Sequence, residues 1–361
     1  MSAHRSPAPG APALVRVDAA AVRALRAART GPRRRTALVA AALVVLLAVL
    51  LSTALSVGDF RVPLPEVVRA LTGRGDAASG FVVLKVRLPR ALTAIGAGVA
   101  FGLSGSLFQN LIRNPLASPD VIGITSGASA SAVVAIVVFG LGGAAVSGVA
   151  VAGALLTAAG IYLLAWRRGV TGYRLVLVGI GVSAALGSVV SYLLTTSEVH
   201  TAEQALMWLT GSVNGADWPK ARSLLLCLAP LLAVAWAAAR VLPALALGDD
   251  AAKGLGARVE RGRLVLVLTG VCLAAVATAA TGPVAFVAFL SGPLARRLVG
   301  GRGPALTLSA LTGAAVLLGC DLVGEHLPGP AGYPVGVITG VVGAPCLLWL
   351  LARANRVGQG G

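Results

Sequence analysis

Charged and aromatic residues are scarce in this 361-residue sequence, at 12% and 4% of the chain. A soluble domain is about one-quarter charged, whereas 57% of the residues here are apolar and the mean hydropathy is +0.87. At about 20 residues for each membrane-spanning helix, a chain of this length holds roughly nine to eleven spans. A soluble enzyme and a single-span receptor are therefore both excluded.

Cysteine and histidine are also few, and none of them is spaced as a metal site requires. Each cysteine lies singly in an apolar run, and each histidine is isolated near a predicted helix end or loop; they are Cys227, Cys272, Cys320, Cys346, His4, His200 and His326. A structural metal site or a haem ligated by this chain is not expected. No glycine loop ending in Gly-Lys-Ser/Thr is present, so any energy source must lie outside this chain or in an ion gradient.

Apolar runs between charged or Pro/Gly-rich breaks predict an all-α, polytopic membrane helix bundle with about ten transmembrane helices. The eighth run is too short to cross a membrane alone, so we expect an irregular helix or one packed inside the protein. The runs cover residues 36–57, 90–109, 119–140, 144–165, 174–195, 222–242, 264–281, 284–297, 304–323 and 334–351.

Positive charge predicts the orientation of these helices. The formal charge of +17 comes from 30 Lys and Arg against 13 Asp and Glu, which in a membrane protein indicates orientation and not nucleic-acid binding. We predict a basic, disordered, cytoplasmic tail over 1–35, a transmembrane domain over 36–352 and a cytoplasmic tail over 353–361. One predicted external loop, 58–90, is nevertheless rich in Arg and Lys, which indicates a small external subdomain or a site for an acidic partner.

The second run places Ala94, Gly98, Gly102 and Ser106 at every fourth position. Small residues at this spacing let helix backbones approach closely in a membrane, so we expect this face to pack against another helix. Proline and glycine interrupt other runs at Asn114-Pro115, Pro119, Gly282-Pro283 and Gly292-Pro293. Interrupted helices are frequent in transporters, although each pair could also mark a simple loop.

Two acidic segments of the sequence each have two interpretations. The segment Asp249 to Gly256 predicts a short helix, with the acidic pair capping its start and glycines at its end, either as an interfacial linker or as a docking surface. Asp321 is the one carboxylate well inside a late apolar run, followed by Glu325 and His326. It predicts either a structural, interfacial role or a site of proton or ion coupling.

Together these segments resemble the iron-chelate permease family, the membrane subunits of ABC importers for ferric siderophores, haem and vitamin B12. The similarity extends from about residue 36 to 352 in order and spacing. It is carried by the runs Arg87-Leu-Pro-Arg90, Ser104 to Gln109, Arg113-Asn-Pro-Leu-Ala-Ser-Pro-Asp120, Trp208 to Trp218, Leu247 to Gly256, Thr281 to Val287 and Pro334 to Pro345.

The resemblance implies a type II ABC importer permease with ten helices, paired with a second, identical or paralogous permease. Two cytoplasmic ATPase subunits would use ATP, and an extracytoplasmic binding protein would deliver the cargo, most often a ferric siderophore. The chain itself would be a transport subunit of a bacterial cell membrane, with no cofactor, metal or catalytic residue. Haem or cobalamin is the alternative cargo.

The resemblance also assigns roles to residues. Arg87 and Arg90 would dock the binding protein, while Gln109, Arg113, Asn114, Pro115, Gly282 and Pro283 would be structural residues of the family motifs. The coupling helix seated on an ATPase would comprise Asp249, Asp250, Ala251, Ala252, Lys253, Gly254, Leu255 and Gly256, with both alanines on its low-profile contact face.

Three positions depart from the family pattern. Gly292-Pro293 stands where many members carry Pro-His, Gly324 replaces a frequent arginine, and Tyr333 replaces a frequent leucine. Two competing hypotheses are an ion-coupled secondary transporter centred on Asp321 and a non-transporting membrane scaffold with a basic tail.

Overall fold

The computed structural model describes residues 19–166, 172–254, 256, 258–301, 305–327 and 332–358. Side chains are described from residue 34 onward within these ranges, except at 249, 351 and 353–358. The described residues form helices and connections and contain no strand, which confirms the all-α class. Residues 1–18 and 359–361, and Leu255 of the predicted coupling helix, lie outside the described residues.

The described residues up to 196 form eight helices and one π-helical turn. They are α1 (Ala19–Ser56), α2 (Leu64–Leu71), α3 (Ala77–Phe81), the π-helical turn Val82–Arg87, α4 (Leu88–Ile112), α5 (Pro119–Ile122), α6 (Ile124–Val137), α7 (Gly143–Ala165) and α8 (Gly172–Thr196). Helix α1 extends back to Ala19, into the segment that was expected to be a tail.

Eight further helices lie in the described residues from 199 to 358. They are α9 (Val199–Thr210), α10 (Trp218–Ala239), α11 (Leu242–Ala246), α12 (Asp249–Gly254), α13 (Val259–Thr281), α14 (Val287–Leu298), α15 (Leu306–His326) and α16 (Val335–Gly358).

Seven helical segments in the described ranges are long and apolar enough to cross a membrane, and each coincides with one of the predicted runs. The third, eighth and tenth runs fall on α6, α14 and α16, of which α6 and residues 335–350 of α16 are shorter apolar helices. Helix α14 has only 12 residues, and its first six are buried against α4 and α15. The expectation of a short helix packed inside the protein is confirmed.

Helix α4 is the central element of the bundle, and α10, α13, α14 and α15 all pack against it. Its small-residue face lies directly on α15: a Cβ on Gly98 would lie 2.5 Å from the Gly313 carbonyl oxygen, and one on Gly102 would clash with that of Ser309. The predicted helix-on-helix packing is confirmed at these two glycines. Such backbone contact supplies the dispersion energy that lipid cannot provide by exclusion.

The basic segment between α1 and α4 forms a small subdomain, one of the two interpretations of its unusual charge. Helices α2 and α3 and the π-helical turn surround a separate apolar cluster of Leu55, Val62, Val67, Ala70 and Val83. Its cations Arg61, Arg69, Arg74 and Lys85 are exposed.

The two ends of the bundle are named here after the residues at the two ends of α4. The Arg90 end contains the small subdomain and the start of α10. The Arg113 end contains Arg35, which donates to the Leu298 carbonyl at 3.0 Å, and helix α12, which contacts the start of α13. Helix α16 runs from the Arg90 end to the Arg113 end, because its first turn contacts the loop after α9.

Candidate functional site

Arg87 lies at the Arg90 end, and its guanidinium forms hydrogen bonds within the chain. The residue is 8% exposed, and its guanidinium donates to the Leu55 carbonyl at 3.0 Å and to the Phe60 carbonyl at 2.6 Å. Both acceptors belong to the end of α1 and the loop that follows it. Arg87 therefore fastens this loop to the start of α4, and its predicted docking role stays a prediction.

Arg90 forms a cluster with Asp321 and Glu325 of α15. Its Nε and one terminal nitrogen donate to the two Asp321 oxygens at 2.9 and 2.8 Å, and its other terminal nitrogen lies 3.3 Å from Glu325. The Asp321 side chain is only 6% exposed. A bidentate ion pair, in which two parallel N–H groups donate to one carboxylate, is stronger than a single hydrogen bond between neutral groups. The arrangement therefore supports the structural interpretation of Asp321.

Three glycines bring irregular segments together at the same end. The Gly336 amide donates to the Gly211 carbonyl at 3.0 Å, and the Ser212 amide donates to the Thr281 carbonyl at 2.6 Å. A Cβ on Gly282 would lie 2.5 Å from the Trp208 carbonyl oxygen, and one on Gly336 would clash with that of Thr210. Gly282-Pro283 thus joins α13 to the end of α9, and Gly211 joins the end of α9 to the first turn of α16. The predicted helix interruption lies between packed elements.

Gln109 compensates for a proline at the Arg113 end. Pro293 has no N–H, so within α14 the Phe289 carbonyl four residues earlier lacks its helical donor. Gln109 donates its side-chain amide to this carbonyl at 2.9 Å and accepts a hydrogen bond from Arg296 at 2.9 Å. A Cβ on Gly292 would clash with the Gln109 oxygen. At the departure Gly292-Pro293, the Gln109 side chain therefore replaces the hydrogen bond that the proline removes and occupies the space beside the glycine.

The Arg113-Asn114-Pro115 motif builds the turn that ends α4. Arg113 adopts φ +55° and its guanidinium donates to the Leu245 carbonyl. The Asn114 side chain accepts from the Leu116 amide at 2.9 Å, and the Ala117 amide donates to the Asn114 carbonyl at 3.1 Å. Such contacts are typical of an Asn-Pro turn, which supports the predicted structural role of these residues.

Asp120 follows this turn, in the four-residue helix α5. Burial raises its pKa to about 6, from 3.8, and a hydrogen bond with the Thr125 side chain lowers it in part. Residue 120 is partly buried at the Arg113 end, outside the long apolar helices. Apart from the family motif, no pattern in the sequence indicates that this carboxyl is buried.

Helix α12 presents one face to the outside and one to the bundle. Asp250, Ala251 and Lys253 are exposed, whereas Ala252 is 0% exposed and belongs to the main apolar core. Ala252 therefore does not share the contact face expected for both alanines, because its methyl group packs inward. The helix ends in a turn in which the Gly256 amide donates to the Lys253 carbonyl at 2.9 Å.

The two remaining departures from the family pattern contact each other. The Tyr333 amide donates to the Gly324 carbonyl at 2.9 Å, and a Cβ on Gly324 would lie 2.6 Å from the Tyr333 carbonyl oxygen. An arginine at position 324 would therefore displace the segment before α16. Gly324 permits this close approach, and nothing in the structure explains the Tyr333 side chain itself.

Comparison with known proteins gives a consistent result over nearly the whole chain. Residues 44–353 match the FecCD transport family. The chain is 40% identical over 291 residues to the ferric enterobactin transport system permease protein FepG of Escherichia coli (strain K12), covering 81% of this chain and 88% of FepG. It is 34% identical over 345 residues to the probable siderophore transport system permease protein YfhA of Bacillus subtilis (strain 168), covering 92% and 99%.

A solved structure shares the fold. It is described as an inward-facing conformation of a putative metal-chelate type ABC transporter, with a TM-score of 0.76 and 28% identity, and the match covers 87% of this chain and 98% of the other. Family, fold and apolar helices agree on one class of protein. The chain therefore belongs to the FecCD transport family and is a multi-pass membrane permease, a transport subunit.

Proposed function

We propose that the chain is the permease of an ATP-driven ABC importer that carries a ferric siderophore into a bacterium by alternating access. The observation that carries this proposal is the similarity to FepG and YfhA over more than four-fifths of the chain, since their names state transport of ferric enterobactin and of a siderophore. The structure contributes a bundle with irregular, interrupted elements, as transporters need at membrane depth.

The importer would contain a second permease, two ATPase subunits and an extracytoplasmic binding protein. ATP is bound by the ATPases, because this sequence has no phosphate-binding loop. With the arginine-rich Arg113 end in the cytoplasm, both termini lie inside the cell and α12 faces the ATPases. The exposed residues Asp250, Ala251 and Lys253 form the surface that would contact them.

Uptake measurements test the cargo. A deletion strain that expresses this permease with its partners should accumulate radiolabelled iron from a ferric siderophore. Haem and cobalamin, the alternative cargoes, are compared in the same strain. Uptake of haem or cobalamin without uptake of any ferric siderophore would refute the proposed cargo while leaving the permease function intact.

A pair of alanine substitutions tests coupling to the ATPase. Ala251→Arg adds a long charged side chain to the exposed face of α12, and it should lower both uptake and ATPase co-purification about tenfold, a loss of about 1.4 kcal/mol in contact free energy. Ala145→Arg is the matched control, because Ala145 is an exposed alanine in the first turn of α7, at the Arg90 end and outside the small subdomain. Equal values for the two variants would show that coupling runs elsewhere.

The small subdomain supports a docking surface for an acidic binding protein. Arg61, Arg69, Arg74 and Lys85 are its exposed cations, while Arg87 and Arg90 lie beneath them in internal contacts. Charge pairs at an interface rim act mainly on the association rate. Reversal of Arg69 and Arg74 to Glu should slow capture of the binding protein at low salt without loss of folded permease; unchanged capture would place the docking site elsewhere.

The ion-coupled alternative centres on Asp321. Both of its carboxylate oxygens accept hydrogen bonds from Arg90, an arrangement that stabilises a fixed charge. Collapse of the proton gradient at constant ATP should leave uptake unchanged if the proposal is right. Loss of uptake under that condition would favour the secondary transporter.

A further inference from the structure

A cavity of about 860 Å³ opens between α7 and α10 at the Arg90 end, with the last two turns of α13 as its floor and the end of α9 with the loop after it as a further wall. Its deeper wall is apolar and includes Val146, Val151, Leu224, Val276 and Ala280. Its rim is polar and includes Asp217 and Lys220. The volume is within the range of about 300–1,000 Å³ of small-molecule sites, and the lining is amphipathic from rim to floor.

The position of the cavity along the bundle matches one lipid leaflet. Its lining on α10 runs from Pro219 near the helix start to Cys227. At about 1.5 Å per residue this is a depth of about 12 Å, close to half of a hydrocarbon core about 30 Å thick. The polar rim therefore lies at headgroup level and the apolar wall at the level of the acyl chains.

The mouth of the cavity faces away from the centre of the bundle. In their most apolar stretches only 28% of the residues of α7 and 22% of those of α10 are buried, against 61% for α13 beneath them. Helices α7 and α10 both pack on α13 and leave the groove between them open. An acyl chain can enter such a groove sideways from the bilayer.

The rim presents two opposite charges. Within the described part of the chain, the Lys220 ammonium makes no hydrogen bond or ion pair. Asp217 is exposed; one of its oxygens accepts the Lys220 backbone amide at 3.0 Å, and the other is free to accept from a ligand. A phosphate suits the lysine and an ammonium suits the aspartate.

We propose that this cavity binds one phospholipid with an amine-bearing headgroup, of the phosphatidylethanolamine type. The acyl chain occupies the apolar wall between α7 and α10, Lys220 pairs with the phosphate, and Asp217 pairs with the headgroup ammonium. The site is separate from the predicted docking and coupling surfaces, and it depends only on the chain being in a membrane.

A glycine pair on α7 tests the acyl-chain part. Gly148 lines the cavity and Gly160 does not, and a Cβ added at either meets no atom within 4 Å. Native mass spectrometry of detergent-purified permease, titrated with palmitoyl-oleoyl phosphatidylethanolamine, measures the affinity. Gly148→Leu should weaken binding about tenfold, because its side chain enters the cavity, whereas Gly160→Leu should bind like wild type. Equal binding by both variants would overturn the proposal.

Charge variants test the headgroup part against phosphatidylglycerol, which lacks the amine. Wild type should bind phosphatidylethanolamine about fivefold more tightly than phosphatidylglycerol, which is equivalent to about 1 kcal/mol in binding free energy. Asp217→Asn keeps a helix-capping side chain and should abolish this preference. Lys220→Gln should weaken both lipids, while Lys85→Gln, an exposed lysine at the same end, should weaken neither. A preference that survives Asp217→Asn would refute the headgroup assignment.

Inorganic phosphate and a second protein chain are the other possible occupants. The first is tested by chemical acylation of Lys220 in lipid-free protein. If millimolar phosphate protects Lys220 and added lipid does not, the cavity is a phosphate site and the proposal is overturned. Crosslinking of a Gly148→Cys variant through position 148 to a second copy of the chain would also overturn it. Protection by phosphatidylethanolamine alone supports it.

Discussion

Arg90 and Asp321 join the central helix to α15 through two hydrogen bonds at the edge of the apolar bundle. Removal of one partner leaves the other charge without compensation, which costs about 3–5 kcal/mol at a buried site. Lysine cannot replace Arg90 well, since only a guanidinium presents two parallel donors to one carboxylate. Single substitutions of Arg90 or Asp321 should therefore lower the stability of the folded protein strongly.

Asp321→Asn should lower the thermal midpoint of the detergent-purified protein strongly, because Arg90 would keep its charge and lose its carboxylate. Glu325→Gln should lower it less, since Glu325 makes one contact with Arg90 at 3.3 Å and its side chain is 29% exposed. The measurement is the loss of the monodisperse peak in size-exclusion chromatography after heating. Equal midpoints for both variants would contradict the assigned strength of the bidentate pair.

Asp120 should make stability depend on pH. Its folded-state pKa of about 6 lies above the ordinary 3.8, so the folded protein binds the proton more tightly than the unfolded chain does. Stability is therefore lost as the pH rises from about 4 to about 6. Asp120→Asn should remove this contribution and be more stable than wild type at pH 7 but not at pH 4, as measured by thermal midpoints. An identical pH profile for both proteins would show that the carboxyl is ionised without penalty.

At the scale of elements, the contact between α4 and α15 depends on glycine. Gly98→Leu should reduce the folded yield, because its side chain would meet the backbone of Gly313 and Ala314 and separate two helices that touch. Gly187→Leu in α8 is the matched control, since a Cβ at Gly187 meets nothing within 4 Å. The yields are compared by fluorescence size-exclusion chromatography; wild-type yield for both would contradict the packing.

Patterns within one segment were sufficient to predict the helices and the packing face of α4. The apolar runs located the long helices, and the spacing of Gly98 and Gly102 indicated close packing. Contacts between distant segments were not predictable from one sequence. The pairing of Arg90 with Asp321, and the donation by Gln109 to the carbonyl exposed by Pro293, join residues far apart in the chain. Ala252 was placed on the wrong face because six residues are too short for a reliable periodicity.

At the scale of the whole molecule, the distribution of arginine predicts the orientation in the membrane. The Arg113 end has Arg35, Arg258, Arg261, Arg296 and Arg297, and cytoplasmic ends are enriched in such residues. A reporter that is active only in the cytoplasm, fused after Gly361, should be active. Fusion of the same reporter after Gly73, in the small subdomain, should give no activity. The reverse result would invert the topology.

The central position of α4 has a consequence for synthesis on the ribosome. Asp321 follows Arg90 by 231 residues, which at roughly 5–20 residues per second takes about 10–50 s to translate. During this interval the nascent helix has a guanidinium and a glycine-rich face without their final partners, since α13, α14 and α15 all emerge later. The chain must therefore be protected by the insertion machinery, and ribosomal stalling before α15 should produce a species that membrane proteases degrade.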